Sequence, residues 1–213
     1  MTRYSSAPDT PDRTHERTGE RGRPREFDID QVALSAGQVF WEQGYHATSI
    51  ETLCKATGLM RGSLYGAFGD KRGLLIAAFD RYTDGAVARL KERLSADLPP
   101  HEALRQALLY YTRVTRNLSE RHGCFITNAA LELLPAEDTL RPHIESALRR
   151  ISAEFAAAVA RGQKAGKFNT KLDEKTLGRF LLCLVQGLRV LGKVDVDEKE
   201  LVAVVDIALR ALL

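Results

Sequence analysis

Residues 61–68, R-G-S-L-Y-G-A-F, combine hydrogen-bond donors with closely spaced glycines. As a helix, this stretch would turn Leu64 and Phe68 toward the core, and its opposite face would carry Arg61, Gly62, Ser63, Tyr65 and Gly66. Each glycine costs a helix about 1 kcal/mol relative to alanine, so two glycines on one outer face indicate that another molecule approaches the backbone. A DNA groove is one such partner and a second helix is another. A helical hairpin with a weak second helix is the simpler alternative.

A second set of candidate residues lies in residues 123–132, G-C-F-I-T-N-A-A-L-E. Asn128 and Glu132 are four residues apart, so they would share one face of an otherwise apolar helix. Their polar groups need partners, either in the protein or in a small molecule held by an apolar pocket with a few polar groups. The sequence slightly favours an internal partner for Glu132, such as a neighbouring backbone N–H or His143, and leaves Asn128 evenly balanced.

Cys124 is the cysteine with the best case for chemistry. It would lie in the first turn of a helix, where the helix dipole favours a thiolate, with Arg121 and His122 next to it in sequence. Such a thiolate could react with oxidants or electrophiles, but a packed, small apolar residue is the favoured alternative. Cys54 and Cys183 fall within apolar faces and are predicted to be core residues.

Other kinds of chemistry find little support. The three cysteines are widely spaced and predict neither a disulfide framework nor a zinc site, and no other cofactor is indicated. A thiol enzyme built on Cys124, His122 and Asn128 would lack an acid to orient the histidine. A helical adaptor protein would leave the outer glycines of residues 61–68 unexplained. We therefore predict that the chain is not an enzyme.

Three other helices would position residues 61–68, which would form the third of four helices. The first spans about residues 28–43, and the second begins at the T-x-x-E capping box of Thr48 and Glu51. Gly58 ends the second helix, and the fourth runs from about residue 71 to 96 after a cap at Asp70. The buried faces would carry Ile29, Val32, Ala36, Val39 and Phe40 in the first helix and Ile50, Leu53, Cys54 and Thr57 in the second.

Residues 40–75 resemble the DNA-binding domain of the TetR/AcrR family of bacterial transcription regulators. The shared motifs are F-x-x-x-G-Y at 40–45, T-S-I at 48–50, G-L at 58–59, G-x-L-Y at 62–65, Phe68, and K-x-x-L-L at 71–75. Met60 and Ala67 stand where the family often has a serine and a histidine, so the phosphate contacts of those two positions are not transferred.

The resemblance implies a role for each matching polar residue. Major-groove contacts would come from Arg61, Gly62, Ser63 and Tyr65, and phosphate contacts from Thr48, Tyr65 and Lys71. Ser49 is a further candidate DNA-binding residue. Lys71 lies in a first helical turn, where the dipole disfavours a cation unless an anion is near, and a DNA phosphate would supply that anion. A solvent-exposed lysine is the alternative.

Residues 1–25 are rich in Ser, Thr, Pro, Asp and Arg and are predicted to be a disordered arm. Arg23 and Arg25, in R-G-R-P-R, could reach the minor groove of DNA, or the arm could be a solubilising tail, with equal support. The DNA-binding domain would follow at residues 26–86, and a ligand-binding and dimerisation domain would occupy residues 87–213.

The second half of the chain is predicted to be entirely helical, with segments near residues 101–120, 124–134, 138–164, 173–192 and 197–212. The last two segments are apolar around most of their circumference, which indicates burial against a partner subunit. A homodimer would also suit a palindromic operator. The resemblance implies the same arrangement, with a small-molecule effector bound in this domain.

Composition limits the remaining possibilities. The chain has 213 residues, is 44% hydrophobic, and carries a net charge of only +3, so any basic surface must be local. No apolar run approaches the roughly 20 residues of a membrane span, and no secretory leader is evident, so we expect a cytoplasmic protein without membrane contact.

The sequence thus predicts an all-α, ligand-responsive transcription regulator, and more specifically a repressor. It would bind a palindromic DNA operator as a homodimer. A small-molecule or thiol-reactive effector would release it from DNA by shifting the fourth helix. A thiol-reactive effector is considered because residues 123–132 resemble a G-C-[LF]-x-x-N-x-x-x-E motif, and some regulators with that motif sense thiol-reactive species.

Overall fold

The protein is all-α in a computed structural model that describes residues 27–95, 97–114, 122–194 and 197–213. The helices in these ranges are α1 Ile29–Gln43, α2 Ile50–Thr57, α3 Arg61–Phe68, α4 Lys71–Leu94, α5 Pro100–Val114, α6 Phe125–Leu133, α7 Arg141–Lys164, α8 Glu174–Leu191 and α9 Glu198–Arg210. The all-helical prediction is confirmed for this part of the chain. Three predictions fall outside the described residues: the arm with Arg23 and Arg25, the position of Arg121, and the end of the predicted fifth helix.

Helix α2 begins one residue later than its capping box predicts. Ser49, not Thr48, is the N-cap, and its hydroxyl accepts a hydrogen bond from the backbone N–H of Thr52 at 3.1 Å. Thr48 is only 2% exposed, and its hydroxyl instead donates to the carbonyl oxygen of Gly44 at 2.6 Å. The predicted Thr48 cap is therefore wrong, because burial of that side chain commits it to the preceding turn.

Helices α1 to α3 form a small unit around one hydrophobic centre. Leu53 of α2 and Leu64 of α3 are almost fully buried, together with Phe40 of α1 and Phe79 of α4. Helix α1 packs against both α2 and α4. Helix α4 is 24 residues long and continues without a break across the boundary predicted at residues 86 and 87. It thus belongs physically to both halves of the protein.

The second half is a helical bundle whose most extensive contact is between α7 and α8. Helix α4 packs against α7, where His143 Nδ1 lies 2.9 Å from Asp80 Oδ1 and Arg150 lies 2.7 Å from Asp84. Arg105 of α5 pairs with an aspartate of α9 at 3.0 Å. None of the described helices is long and apolar enough to cross a membrane.

The last two helices bury one face each and leave apolar side chains on the other. Helix α8 buries its stripe of Leu177, Leu181, Val185 and Leu188. Exposed large apolar residues on the outer faces of α8 and α9 include Phe180, Val190, Leu191, Val204 and Ile207. Cys183 is also exposed, which corrects the prediction that it is a core residue. Cys183 is two residues away from both Leu181 and Val185. Two residues correspond to a rotation of about 200° around an α-helix, so Cys183 lies on the side opposite the buried stripe.

Candidate nucleic-acid interface

The outer face of α3 is open, as the position of its glycines predicted. Arg61, Gly62, Ser63 and Gly66 are exposed, and Tyr65 is partly exposed with the Arg61 guanidinium 5.2 Å from its ring centre. A Cβ atom added at Gly62 or Gly66 would meet nothing within 4 Å. Packing inside the protein therefore does not require either glycine, and the surface can admit an object directly against the helix backbone.

A tight turn presents α3 in this orientation. Gly58 ends α2 in the left-handed conformation with φ +69°, which side chains with a Cβ rarely adopt. Helix α3 then starts after Met60, which is 82% exposed and makes no side-chain capping hydrogen bond. Among the described residues, no side chain accepts a hydrogen bond from the first amide groups of α3, so this end of the helix keeps its partial positive charge.

Lys71 begins α4 beside the α1–α2 turn. Its ammonium lies 4.4 Å from the ring centre of Tyr45, and the carboxylate of Asp70 caps the helix by accepting from Gly73 N at 2.7 Å. Partial burial lowers the pKa of Lys71, and the negative charge of Glu132 opposes that shift. A carboxylate of the protein thus supplies part of the anionic environment that the sequence analysis assigned to DNA.

The two hydroxyl residues ahead of α2 have different surroundings. Ser49 is exposed and caps the helix, so its position is compatible with an external phosphate. Thr48 is buried and its hydroxyl is already used by Gly44, so its side chain does not reach the surface. Sequence position alone did not separate the two.

Glu132 joins the two halves of the protein. Its carboxylate oxygens accept hydrogen bonds from the backbone N–H groups of Tyr45 at 2.9 Å and His46 at 2.8 Å. A Cβ on Gly44, where φ is +82°, would lie 3.0 Å from this carboxylate, so glycine permits the close approach. The sequence analysis favoured a backbone N–H or His143 as the partner. The backbone provides it, whereas His143 pairs with Asp80.

Asn128 and Cys124 are also engaged inside the protein. The amide nitrogen of Asn128 donates to the carbonyl oxygen of His122 at 2.7 Å, and its oxygen lies 3.4 Å from the ammonium of Lys193. Cys124 is the residue directly before α6 and is 6% exposed. The His122 ring packs against Trp41, at 5.9 Å between ring centres. The three residues considered for thiol catalysis are therefore occupied with packing and backbone contacts.

A cavity of about 570 Å³ lies where α1 meets the bundle, between α1, α4, α5, α6 and α8. Its lining includes aromatic side chains and the arginines Arg81, Arg89, Arg93 and Arg189. None of these arginines was predicted from the sequence to be a site residue. The sequence contains a pattern that indicates them. Arginine or glycine recurs every four residues along one side of α4, at Arg81, Gly85, Arg89 and Arg93.

A helix-turn-helix with an open second helix, set on a larger helical domain, is the arrangement of a DNA-binding transcription regulator. The chain matches two family models in the same places. Residues 35–78 match the model for bacterial regulatory proteins of the tetR family, and residues 100–208 match the tetracyclin repressor-like C-terminal domain. The chain belongs to the TetR family of bacterial transcription regulators, which confirms the family that residues 40–75 predicted.

Similar proteins span nearly the whole chain. The uncharacterized HTH-type transcriptional regulator YezE of Bacillus subtilis (strain 168) is 32% identical over 192 residues, covering 90% of this chain and 99% of that protein. The HTH-type transcriptional repressor ComR of Escherichia coli (strain K12) is 28% identical over 194 residues, covering 89% and 91%. A solved structure of the TetR family regulator CifR, a cysteine mutant with 26-base-pair operator DNA, has a TM-score of 0.77 and 29% identity, covering 90% and 100%.

Proposed function

We propose that the protein is a transcriptional repressor that binds a palindromic DNA operator as a homodimer and is released by an effector. The observation that carries this proposal is the outer face of α3, where Arg61, Ser63 and Tyr65 surround two glycines with open space above them. An α-helix fits the major groove, and missing side chains allow its backbone close to the base edges. Such a regulator acts on the chromosome, and hence in the cytoplasm, without catalysing a reaction.

Within this proposal, the DNA contacts divide into two sets. Arg61, Gly62, Ser63 and Tyr65 face the major groove, and Ser49, Tyr65 and Lys71 contact phosphates. Arg23 and Arg25 would add minor-groove contacts from the arm. Thr48 is left out as a side-chain contact because it is buried. Similarity to CifR, which is solved with operator DNA, and to the repressor ComR supports both the DNA target and the direction of regulation.

The homodimer is supported by the apolar outer faces of α8 and α9. Phe180 is 41% exposed and Ile207 is 59% exposed, although both lie on helices that bury their opposite faces in the bundle. A second copy of the chain would cover these side chains and build a four-helix interface. Twofold symmetry would then present the two α3 helices to successive half-sites of a palindrome.

The coupling between effector and DNA would pass through α4 and α6. The cavity touches α1 and α4, and Glu132 of α6 holds the turn between α1 and α2 through two backbone hydrogen bonds. A ligand that prefers one arrangement of these helices changes operator affinity by a coupling free energy that is typically 1–3 kcal/mol. Modification of Cys124 by an electrophile is the other candidate trigger, because this residue is the N-cap of α6.

An electrophoretic mobility shift with the DNA that flanks the protein's own gene tests the proposal. We expect a specific shift that competitor DNA of unrelated sequence does not abolish, and that Arg61→Ala removes. The exposed Arg149→Ala, on α7, is the matched control and should keep the shift. Arg61→Ala binding as tightly and as selectively as wild type would contradict the assignment of α3.

The same assay separates the two triggers. The protein is treated with N-ethylmaleimide before DNA is added, and Cys124→Ser is treated in parallel. Loss of the shift in wild type but not in Cys124→Ser would identify Cys124 as a sensor. A shift that survives treatment would direct the search for effectors to the cavity.

A further inference from the structure

The cavity between α1 and the bundle has a one-sided charge. Among the described residues that line its roughly 570 Å³, four are arginines and none is acidic. Three of these arginines come from α4 and the fourth, Arg189, comes from α8. Guanidinium groups remain charged at any physiological pH, so the cavity carries a permanent positive charge.

The carboxylates of the described residues compensate little of this charge. Arg81 has one within reach, Asp30, at 3.8 Å. Neither Arg89 nor Arg93 has a carboxylate at ion-pairing distance in the described part of the chain. Arg93 instead lies 3.6 Å from the ring centre of Tyr110 and donates to the carbonyl oxygen of Arg89 at 2.9 Å. Two guanidinium groups therefore remain available for charge-assisted hydrogen bonds to an anion.

Five of the other eleven lining residues are aromatic. Trp41, Tyr82, Tyr110, Tyr111 and Phe125 contribute to the walls. Burial raises the pKa values of Tyr82 and Tyr111, so these phenols stay neutral and do not offset the arginines. Aromatic walls favour a flat apolar body, and a few fixed charged groups set its orientation.

Trp41 adds an unsatisfied donor. Its indole N–H is buried and has no hydrogen-bond acceptor among the described residues. Leaving a buried donor without a partner is costly to the folded state. Trp41 belongs to α1 of the DNA-binding unit, so a molecule in the cavity would touch that unit as well as the bundle.

We propose that this cavity binds a small organic anion, with a flat apolar body against the aromatic walls and a carboxylate, sulfonate or phosphate group at Arg89 and Arg93. This assignment names the chemical class of the effector. Binding of the anion does not depend on the proposed function. The expectation that the bound anion changes operator affinity does rest on it.

The test uses two probes that share one skeleton. The anion 8-anilinonaphthalene-1-sulfonate carries a sulfonate, and N-phenyl-1-naphthylamine is the same molecule without it. Trp41 is the only tryptophan in the chain, so quenching of its fluorescence reports occupation of the cavity directly. We expect saturable quenching by the sulfonate and binding at least tenfold weaker for the neutral probe, the difference that one charge-assisted hydrogen bond makes.

The double variant Arg89→Gln/Arg93→Gln should weaken binding of the sulfonate at least tenfold and leave binding of the neutral probe unchanged. Arg149→Gln, at an exposed arginine on α7, is the control and should bind both probes like wild type. If the double variant fails to fold by circular dichroism, the single variants Arg89→Gln and Arg93→Gln replace it, and each should weaken binding of the sulfonate but not of the neutral probe. Equal affinity for both probes in wild type, or unchanged sulfonate binding in the double variant, would overturn the inference.

A parallel operator titration keeps the two proposals distinct. Operator binding without sulfonate binding would reject the anion site and leave the regulator intact. Sulfonate binding at the arginines without any specific operator binding would reject the regulator and leave the anion site intact.

Discussion

At the scale of single residues, the glycines of α3 are unusual because nothing in the protein requires them. Most of the other described glycines have an internal reason, such as the positive φ of Gly58 or the carboxylate that lies against Gly44, and Gly187 on α8 is an exception. Gly62 and Gly66 have neither, and they weaken a helix of only eight residues. Their cost to stability is best explained by a partner that comes close to the helix from outside.

Gly66→Ala should therefore stabilise the protein while it impairs DNA binding. Alanine in a helix interior is favoured over glycine by about 0.5–1 kcal/mol, and its methyl group would meet no atom within 4 Å. Urea unfolding would measure the free-energy gain, and titration with operator DNA would measure the loss, which we expect to be at least fivefold. A variant that is more stable and binds the operator normally would show that no groove reaches this glycine.

Lys71→Ala should weaken binding to specific and unrelated DNA alike. A phosphate contact contributes to affinity for every sequence through counterion release, so its loss reduces the salt slope by about 1 in each subunit. Fluorescence anisotropy at several salt concentrations measures that slope. Arg149→Ala serves as a control with the same change in net charge. An unaltered slope for Lys71→Ala would mean that the cation only packs on Tyr45 beside Glu132.

At the scale of secondary-structure elements, the side chain of Glu132 connects α6 to the α1–α2 turn. Glu132 satisfies two consecutive backbone N–H groups, and Arg72 of α4 forms a 2.9 Å ion pair with Glu137 just beyond α6. Surface ion pairs contribute little, whereas a carboxylate that accepts two backbone hydrogen bonds fixes the geometry of a turn. We infer that Glu132 is the more important of the two links.

Glu132→Ala should loosen the α1–α2 turn locally. Hydrogen exchange at the amides of Tyr45 and His46 should accelerate severalfold, because a net loss of about 1 kcal/mol is expected where water can replace the exposed carboxylate. Mass spectrometry or NMR of the exchanging amides would measure it. Glu137→Ala, which breaks only the surface ion pair, should leave the exchange unchanged. Equal exchange in wild type and Glu132→Ala would show that the turn is held by other contacts.

At the scale of the whole molecule, the exposed apolar faces of α8 and α9 require a cover. A chain of 23.7 kDa that leaves Ile207, Val190 and Phe180 in water would expose several large apolar side chains on two neighbouring elements. A second subunit, as proposed, would provide that cover and would also place two α3 helices on one DNA.

Ile207→Asp should convert the proposed dimer into a monomer and abolish operator binding. A charge without a partner in an apolar interface costs about 3 kcal/mol or more, which corresponds to over a hundredfold in the dimer dissociation constant. Sedimentation velocity would measure the change in mass. Leu131→Asp changes a 78% exposed residue on α6 and should leave the dimer intact. An unchanged mass for Ile207→Asp would place the subunit interface elsewhere.

The sequence alone determined the features that depend on local spacing. Helical periodicity, caps and glycine stops located all the described helices to within a few residues, and the closely spaced motifs of residues 40–75 identified the family. Local patterns failed where neighbouring residues compete for one role. Thr48 and Ser49 were not separated, and Cys183 was assigned to the core, because the side of a helix that a partner or the bundle covers depends on packing.

Only the tertiary structure decided what distant residues do together. Glu132 meets Tyr45 and His46 across 87 and 86 residues of sequence, and the cavity collects side chains from five helices. No periodic pattern encodes such meetings, because they depend on the angles at which helices pack rather than on the order of residues within each helix. The family could therefore be predicted from the sequence. The arginine-lined cavity and the contact of Glu132 with the α1–α2 turn are determined by the tertiary structure.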